Sequence, residues 1–406
     1  MTEGRFSQLA STRGLQTMSE TFVIAQGGGP TAVINQTLVG AVIEARRRYP
    51  KCAVLGARHG VRGVRKGDFA DLAALSEAEL LRIAATPGAA LGSTRDKPDA
   101  AYCAEVLAGL RRAKATSFIY IGGNDTAGTQ LILREAAGKD IAFTHAPKTI
   151  DNDLVENDHT PGFISAALFV ASAFVSIDLD FRALPGIYVG IVMGRHAGFL
   201  AASAAGWQRD AADAPHLVYV PEIAFSVERL RDDIARVFAK RGRCVVAISE
   251  GVGDDKGRPL AESLITRDRL EVDAHGNTQL SGGDLGLALQ ERLKDWFPGK
   301  RARVDTFGYL PRGFIGAISP LDQCEAFAAG AHAVDVCAAG GGSVALRLQG
   351  GECKPVRVDL ESVAGKTRLL PRSFLGEDPT GLSTEARAYF RRLLPERPAT
   401  GASLLP

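Results

Sequence analysis

An α/β architecture with mainly parallel sheets is what the sequence predicts, and three observations carry it. Short apolar runs rich in β-branched residues recur along the chain. Segments of helical periodicity separate them, the alternation expected of parallel strands joined by crossover helices. The runs are apolar on both faces, which suits central strands covered by helices on either side; a half-exposed antiparallel sheet alternates with polar residues instead.

In chain order the expected strands are 21–25 (TFVIA), 52–57 (CAVLGA), 117–122 (SFIYIG), 141–145 (IAFTH), 187–193 (IYVGIVM), 216–220 (HLVYV), 243–249 (RCVVAIS) and 343–349 (SVALRLQ). Between them, 37–48 (TLVGAVIEARRR) and 98–113 (PDAAYCAEVLAGLRRA) place apolar residues at helical spacing and basic residues toward the C-terminal end, where they complement the helix dipole. The longest apolar stretch, 163–177 (FISAALFVASAFVSI), is broken by Ser165, Ser172 and Ser176 and is shorter than the ~20 residues that span a bilayer. A buried helix is expected there, and no membrane partner. Residues 1–20 are polar and read as a disordered leader, with Met18 a candidate start. A soft boundary near Pro161 then divides a first lobe over 21–160 from a second over 161–335, and 336–406 is expected to pack back on the lobes with a frayed tail.

Of 406 residues, 46% are hydrophobic and 23% charged, the composition of a globular protein with a large core. Lys and Arg total 48 against 46 Asp and Glu, so a net charge of +2 gives no general basis for holding nucleic acid or an anionic membrane. Any anion site must therefore be local. The six cysteines, Cys52, Cys103, Cys244, Cys324, Cys337 and Cys353, are scattered and form no zinc-ligand spacing. Reduced, mostly buried thiols in a cytoplasmic protein are expected.

Ligands of open α/β sheets sit beyond the carboxyl ends of the strands, so the residues just after each run matter most. In AQGGGPTAVIN (25–35), Gly27, Gly28 and Gly29 clear the turn and Pro30 suits a first helical turn, which leaves backbone N–H groups facing outward for a phosphate. Gly27, Gly29 and Ala32 also satisfy G-x-G-x-x-A, so a dinucleotide remains open, although the next run ends in Arg58 and His59 rather than an acidic residue. IGGNDT (121–126) offers a second glycine turn with Asn124, Asp125 and Thr126; a plain helix cap is the alternative. APKTIDND (146–153) sets Lys148 beside Asp151 and Asp153, which suggests a base near a bound phosphate.

PKTIDND (147–153), GGNDT (122–126), MGR (193–195) and GYLPR (308–312) occur together in that set, and with them the chain resembles the phosphofructokinase family, within it the pyrophosphate-dependent branch. The likeness runs from about Phe22 past Tyr309. It implies two Rossmann-like lobes, the first binding the phosphoryl donor and the second fructose 6-phosphate, with transfer to the sugar's 1-hydroxyl. By this likeness Asp151 is the general base, Asp153 orients the site or places a metal, Thr149 and Ile150 line the acceptor pocket, and Met193, Gly194 and Arg195 hold the sugar. Glu250 in AISEG binds sugar hydroxyls, and Arg303, Tyr309 and Arg312 lie where the family contacts the sugar or its 6-phosphate, a task suited to the arginine fork. Arg95 in LGSTR faces the transferred phosphate, while Gly28 and Gly29 hold the donor diphosphate.

Two positions set the donor. ATP-using relatives carry glycine where this chain has Asp125, and commonly where it has Lys148. A carboxylate at Asp125 stands where a nucleotide's α-phosphate would lie, and like charges ~4 Å apart cost about 4 kcal/mol at an effective dielectric near 20. The Lys148 ammonium suits a small diphosphate and its leaving phosphate. Pyrophosphate is thus the expected donor, with Mg2+ as cofactor, and glycolysis the setting. Asn124 replaces the usual metal-binding aspartate, which leaves Asn124 and Asp153 as metal candidates. Gly186 stands where ATP-dependent bacterial relatives lend an arginine to a neighbouring subunit, and a homodimer is expected. ATP-dependent transfer, another acceptor such as sedoheptulose 7-phosphate, and a sugar-phosphate sensor without turnover are the alternatives.

Overall fold

The computed structural model describes residues 20–264, 271–272, 278–279, 282–378 and 380–399, so all but the last residue of the expected leader 1–20 and the end of the tail lie outside the described residues. The strands are β1 (Thr21–Gln26), β2 (Ala53–Ala57), β3 (Phe69–Asp71), β4 (Ser117–Gly122), β5 (Ala142–Pro147), β6 (Ile187–Val192), β7 (Leu217–Tyr219), β8 (Cys244–Ser249), β9 (Glu271–Val272), β10 (Thr278–Gln279), β11 (Ala302–Thr306), β12 (Gly342–Gln349) and β13 (Glu352–Val358). All eight runs expected from the sequence are strands within two residues of their bounds.

A seven-stranded sheet runs β13-β12-β5-β4-β1-β2-β3, and a four-stranded sheet runs β11-β6-β8-β7. Neighbours from β12 to β2 in the first sheet are parallel, as is every pair in the second, while β3 and β13 add antiparallel edges. The central strands β1, β4, β6 and β8 are buried at every residue, as helices on both faces require. The edges escaped the sequence pattern. β13 (ECKPVRV) alternates in exposure and carries Pro355, a residue that sheets confine largely to their edges because it cannot donate to a ladder.

Two expectations need correction. The apolar run at 163–177 is part of a longer helix, Phe163–Ala183, 21 residues and by length and composition alone enough to cross a membrane. It extends because Phe181 is buried and because Asp178, buried in the same turn, is paired with Arg182 and Arg243. Phe163, Val170, Phe174 and Phe181 lie in the core of the second lobe. The second correction concerns the boundary at 335. Helix Pro320–Ala338 packs on helix Ile34–Arg48 of the first lobe, so closely that a Cβ on Gly330 would lie 1.9 Å from the Thr37 carbonyl oxygen and one on Gly40 2.1 Å from that of Phe327. The chain therefore rejoins the first sheet with this helix and completes it with β12 and β13. All six cysteines are free; Cys103, Cys244 and Cys337 are buried, Cys52 and Cys353 half-buried, and Cys324 exposed.

Candidate active site

Strand order in the first sheet reverses about β1 and β4, which opens a crevice at their carboxyl ends. Three loops meet there. The Gly27 amide donates to the Ile121 carbonyl (2.8 Å), the Lys148 amide donates to Gly122 (2.9 Å), and the Gly28 amide donates to Thr94 (2.9 Å). The last bond draws the segment carrying Arg95 onto the glycine loop, and Ser93 Oγ reinforces it by donating to the Gly28 carbonyl (2.6 Å).

The glycine loop differs from its expected form. Pro30 is not in a helical turn, because the helix begins at Ile34 after Val33. With the Gly27 and Gly28 amides already bonded inside the protein, these glycines serve by leaving room. A Cβ at Gly28, whose φ is +73°, would lie 3.2 Å from Lys148 Nζ, and one at Gly29 3.0 Å from Arg312 Cζ. Absence of side chains thus lets two cations approach the loop.

Lys148 is buried, and its ammonium donates to the Gly29 carbonyl at 2.8 Å. Burial lowers its pKa from 10.5 to about 8, Arg312 adds to the drop, and Asp151 and Asp153 oppose it. Asp151 is raised above the ordinary carboxylate range, first by burial and then by Asp153 and Glu250, with Arg312 and Lys148 pulling the other way. Its Oδ1 is buried without a hydrogen-bond partner, an acceptor left open in the crevice. Asp153, raised by burial, accepts from Asn124 Nδ2 at 3.3 Å, and Asn124 Oδ1 is likewise buried and unpartnered. A carboxylate and a neighbouring amide oxygen without a partner are hard donors, the ligand types a divalent ion takes together with phosphate oxygens and water. The other grouping of potential ligands among the described residues, Asp158, His159 and Cys353, already holds the Arg392 guanidinium against Asp158 and Cys353.

From the second sheet come the residues after β6, β8 and β11. Gly194, at φ +139°, accepts from Ser249 Oγ (2.5 Å), which ties the MGR turn to the end of β8. Glu250 follows, its pKa raised by burial and lowered by Arg195. Arg312 is half-buried, its guanidinium 4.4 Å from the centre of the Tyr309 ring, and Tyr309 is 68% exposed. Its charge reaches Lys148, Asp151 and Glu250.

Gly28, Gly29, Arg95, Asn124, Lys148, Thr149, Asp151, Asp153, Gly194, Arg195, Glu250 and Arg312 are therefore brought around one crevice. Four expected residues stand apart from it to different degrees. Arg303 lies exposed on β11, its Nη1 bonded to the neighbouring Ala302 carbonyl (2.7 Å), away from this chain's crevice. The Ile150 side chain is buried in the core of the second lobe, leaving its backbone as the part that can face a ligand, and Met193 packs against the same core. Asp125 is on the rim, exposed in the first turn of helix Asn124–Ala137 and 3.7 Å from Lys97 Nζ. Sequence reasoning passed over His145, fully buried in β5. Its ring spans Ser343 Oγ (2.8 Å) and the Gly122 carbonyl (2.9 Å), and burial lowers its pKa to about 4. A neutral ring donates from Nε2 to Gly122 and accepts at Nδ1, fixing the turn from behind. One histidine inside an apolar strand was the available signal.

A family model described as "Phosphofructokinase" matches residues 21–337. The chain belongs to the phosphofructokinase family. A protein of Rhodospirillum rubrum named pyrophosphate--fructose 6-phosphate 1-phosphotransferase is 47% identical over 379 residues, covering 92% of this chain and 93% of its own. One of the same name from Xanthomonas campestris is 35% identical, with coverage of 91% and 90%. Among solved structures, a pyrophosphate-dependent phosphofructokinase from Marinobacter aquaeolei superposes with a TM-score of 0.81 at 25% identity, over 95% of this chain and 94% of that one. Phosphofructokinases are phosphotransferases that generally need a divalent metal.

Proposed function

We propose that the protein transfers a phosphoryl group reversibly from inorganic pyrophosphate to the 1-hydroxyl of fructose 6-phosphate, giving fructose 1,6-bisphosphate and phosphate. One observation carries the reading beyond the family match: a buried lysine ammonium, 2.8 Å from the Gly29 carbonyl, and an aspartate whose buried Oδ1 has no hydrogen-bond partner sit three residues apart on the loop after β5, where the crevice opens. That pairing suits a short diphosphate above a sugar hydroxyl.

In this mechanism Asp151 accepts the hydroxyl proton as the oxygen attacks, and its raised pKa suits a base that must later return a proton in the reverse direction. Lys148 gathers charge on the leaving phosphate, and Arg95 on the transferred one. Arg195, Glu250, Thr149 and Arg312 hold the sugar phosphate, with Gly194 and the backbone of Ile150 giving close approach and Met193 supporting the turn. Asp153 and Asn124 would hold Mg2+, which when bound would neutralise phosphate charge. Asp125, on the rim beside Lys97, opposes a longer nucleotide donor by like-charge repulsion. Tyr309, Leu310, Phe314 and Ile315 expose apolar surface on the loop after β11, which supports a homodimer.

A coupled assay for fructose 1,6-bisphosphate, supplied with pyrophosphate or ATP in turn, tests the donor. Turnover with pyrophosphate alone is expected; turnover with ATP alone overturns the donor assignment. The paired change Asp125→Gly with Lys148→Gly is expected to lose pyrophosphate activity and admit ATP.

A further inference from the structure

The catalytic loop is held from behind by the C-terminal part of the chain. Asp151 and Asp153 flank Asn152, which is fully buried and sits at φ +59°, in the left-handed region. This conformation sets the directions in which the two carboxylates leave the backbone, and a non-glycine residue keeps it only where its surroundings demand it. The surroundings here are specific. Asn152 Nδ2 donates to Tyr389 Oη at 2.9 Å, and Tyr389 Oη donates onward to the Asp158 carbonyl, also at 2.9 Å. One hydroxyl thus uses its acceptor and donor capacity to join the residue between Asp151 and Asp153 to the chain six residues further on.

Tyr389 is itself fixed. It is 9% exposed on helix Thr384–Leu393, and its ring lies 5.1 Å from Phe374, 5.4 Å from Phe390 and 6.4 Å from Phe199. One turn along, Arg392 donates to the Asp158 carboxylate (2.5 Å), which also meets buried His159; His159 in turn contacts Glu325. A second strap runs alongside. The Arg368 amide donates to the Asp153 carbonyl (2.7 Å), and Leu154 pairs with Thr367. The helix containing Tyr389 lies beyond the stretch 21–337 matched by the family model.

We infer that Tyr389 is a positioning residue for phosphoryl transfer, acting through Asn152 to aim the Asp151 and Asp153 carboxylates into the crevice. This rests on the reading of Asp151 as the base. Without the hydroxyl, the Asn152 amide loses its anchor and the loop regains freedom at the residue between the two carboxylates. Arg195, Glu250 and Arg312, which hold fructose 6-phosphate from other loops, are untouched, so the effect belongs in kcat and not in the KM for fructose 6-phosphate.

The experiment is a double-mutant cycle on the full chain, Tyr389→Phe and Asn152→Gly, with pyrophosphate and fructose 6-phosphate varied in turn. Phenylalanine keeps the ring packing and removes both hydrogen bonds; glycine accepts the left-handed backbone and removes the anchored amide. Each single change is expected to lower kcat about 10- to 100-fold with the KM for fructose 6-phosphate within about twofold. The double variant is expected to be no slower than Asn152→Gly alone, because both act through one contact. Wild-type kcat in Tyr389→Phe, a loss that appears only in the KM for fructose 6-phosphate, or losses that multiply in the double variant overturns the inference. Asp151→Asn separates the two levels. If it retains turnover, the reading of the base fails; if it is inactive while Tyr389→Phe is unimpaired, only the positioning role fails. Should Tyr389→Phe not fold, Asn152→Gly alone decides, since an unchanged kcat there refutes control through the Asn152 amide.

Discussion

Replacing Lys148 with methionine separates what the ammonium does for catalysis from what it does for stability. The two side chains are similar in length, so packing against the glycine loop is retained while the charge is lost. In the free protein that charge is unfavourable: a pKa lowered from 10.5 to about 8 corresponds to about 3 kcal/mol of penalty, mostly from burial. Removing it relieves the penalty but orphans the Gly29 carbonyl, which now accepts at 2.8 Å, a loss of about 1–3 kcal/mol. These nearly cancel, and the melting temperature is expected to move by only a few degrees. Catalysis has no such offset. A unit charge ~4 Å from a developing phosphate charge is worth about 4 kcal/mol at an effective dielectric near 20, and loss of one preorganised stabilising group costs about 100- to 1,000-fold in kcat. Steady-state kinetics with pyrophosphate, alongside thermal denaturation, checks both halves. A kcat within threefold of wild type at unchanged stability refutes the placement of Lys148 on the leaving phosphate.

Asp151→Asn keeps the shape of the loop but removes the proton acceptor, and kcat is expected to fall about 100- to 10,000-fold with fructose 6-phosphate still bound, as read by calorimetric titration. The pH dependence of kcat/KM for pyrophosphate should show a basic limb near pH 8, since Lys148 loses its proton there in the free protein. Stability moves the other way on this group's account. Its folded pKa is below its unfolded one, so the unfolded chain binds more protons between about 8 and 10.5 and folding gains as pH rises through that window. A kcat/KM profile flat to pH 9.5, or one in which Lys148→Met retains the limb, refutes the assignment. Gly330→Ala pushes a Cβ to 1.9 Å from the Thr37 carbonyl oxygen, and backbone there must shift; a loss of roughly 1–3 kcal/mol in urea unfolding is expected.

The parallel core was legible because its strands are buried on both faces, a condition that writes itself as unbroken apolar runs such as SFIYIG and CVVAIS. Edges obey no such constraint. β11 alternates buried and exposed residues and ends in the loop that carries Arg312, so the strand that delivers a key cation was the harder one to see. The crevice was legible in part for a related reason: parallel sheets place loops at strand ends, and PKTIDND, IGGNDT and MGR each follow a visible strand.

What the loops do was less visible than where they lie. GGGP invites the expectation of amides offered to a phosphate, yet the Gly27 and Gly28 amides are used to join loops, and the charge facing the crevice comes from side chains 119 residues away in the case of Lys148. A local pattern cannot distinguish a glycine that donates its amide from one that clears space for a neighbour's ammonium, because both need the same missing Cβ. The same limit applies more strongly to Asn152. Its neighbours Asp151 and Asp153 announce chemistry by type and spacing, whereas its own partner, Tyr389, lies 237 residues on in a helix that looks like any amphipathic surface segment. Reacting groups must be acidic, basic or nucleophilic, so their residue types betray them. Groups that aim them need only a hydroxyl or an amide at the right place, and that place exists only after folding.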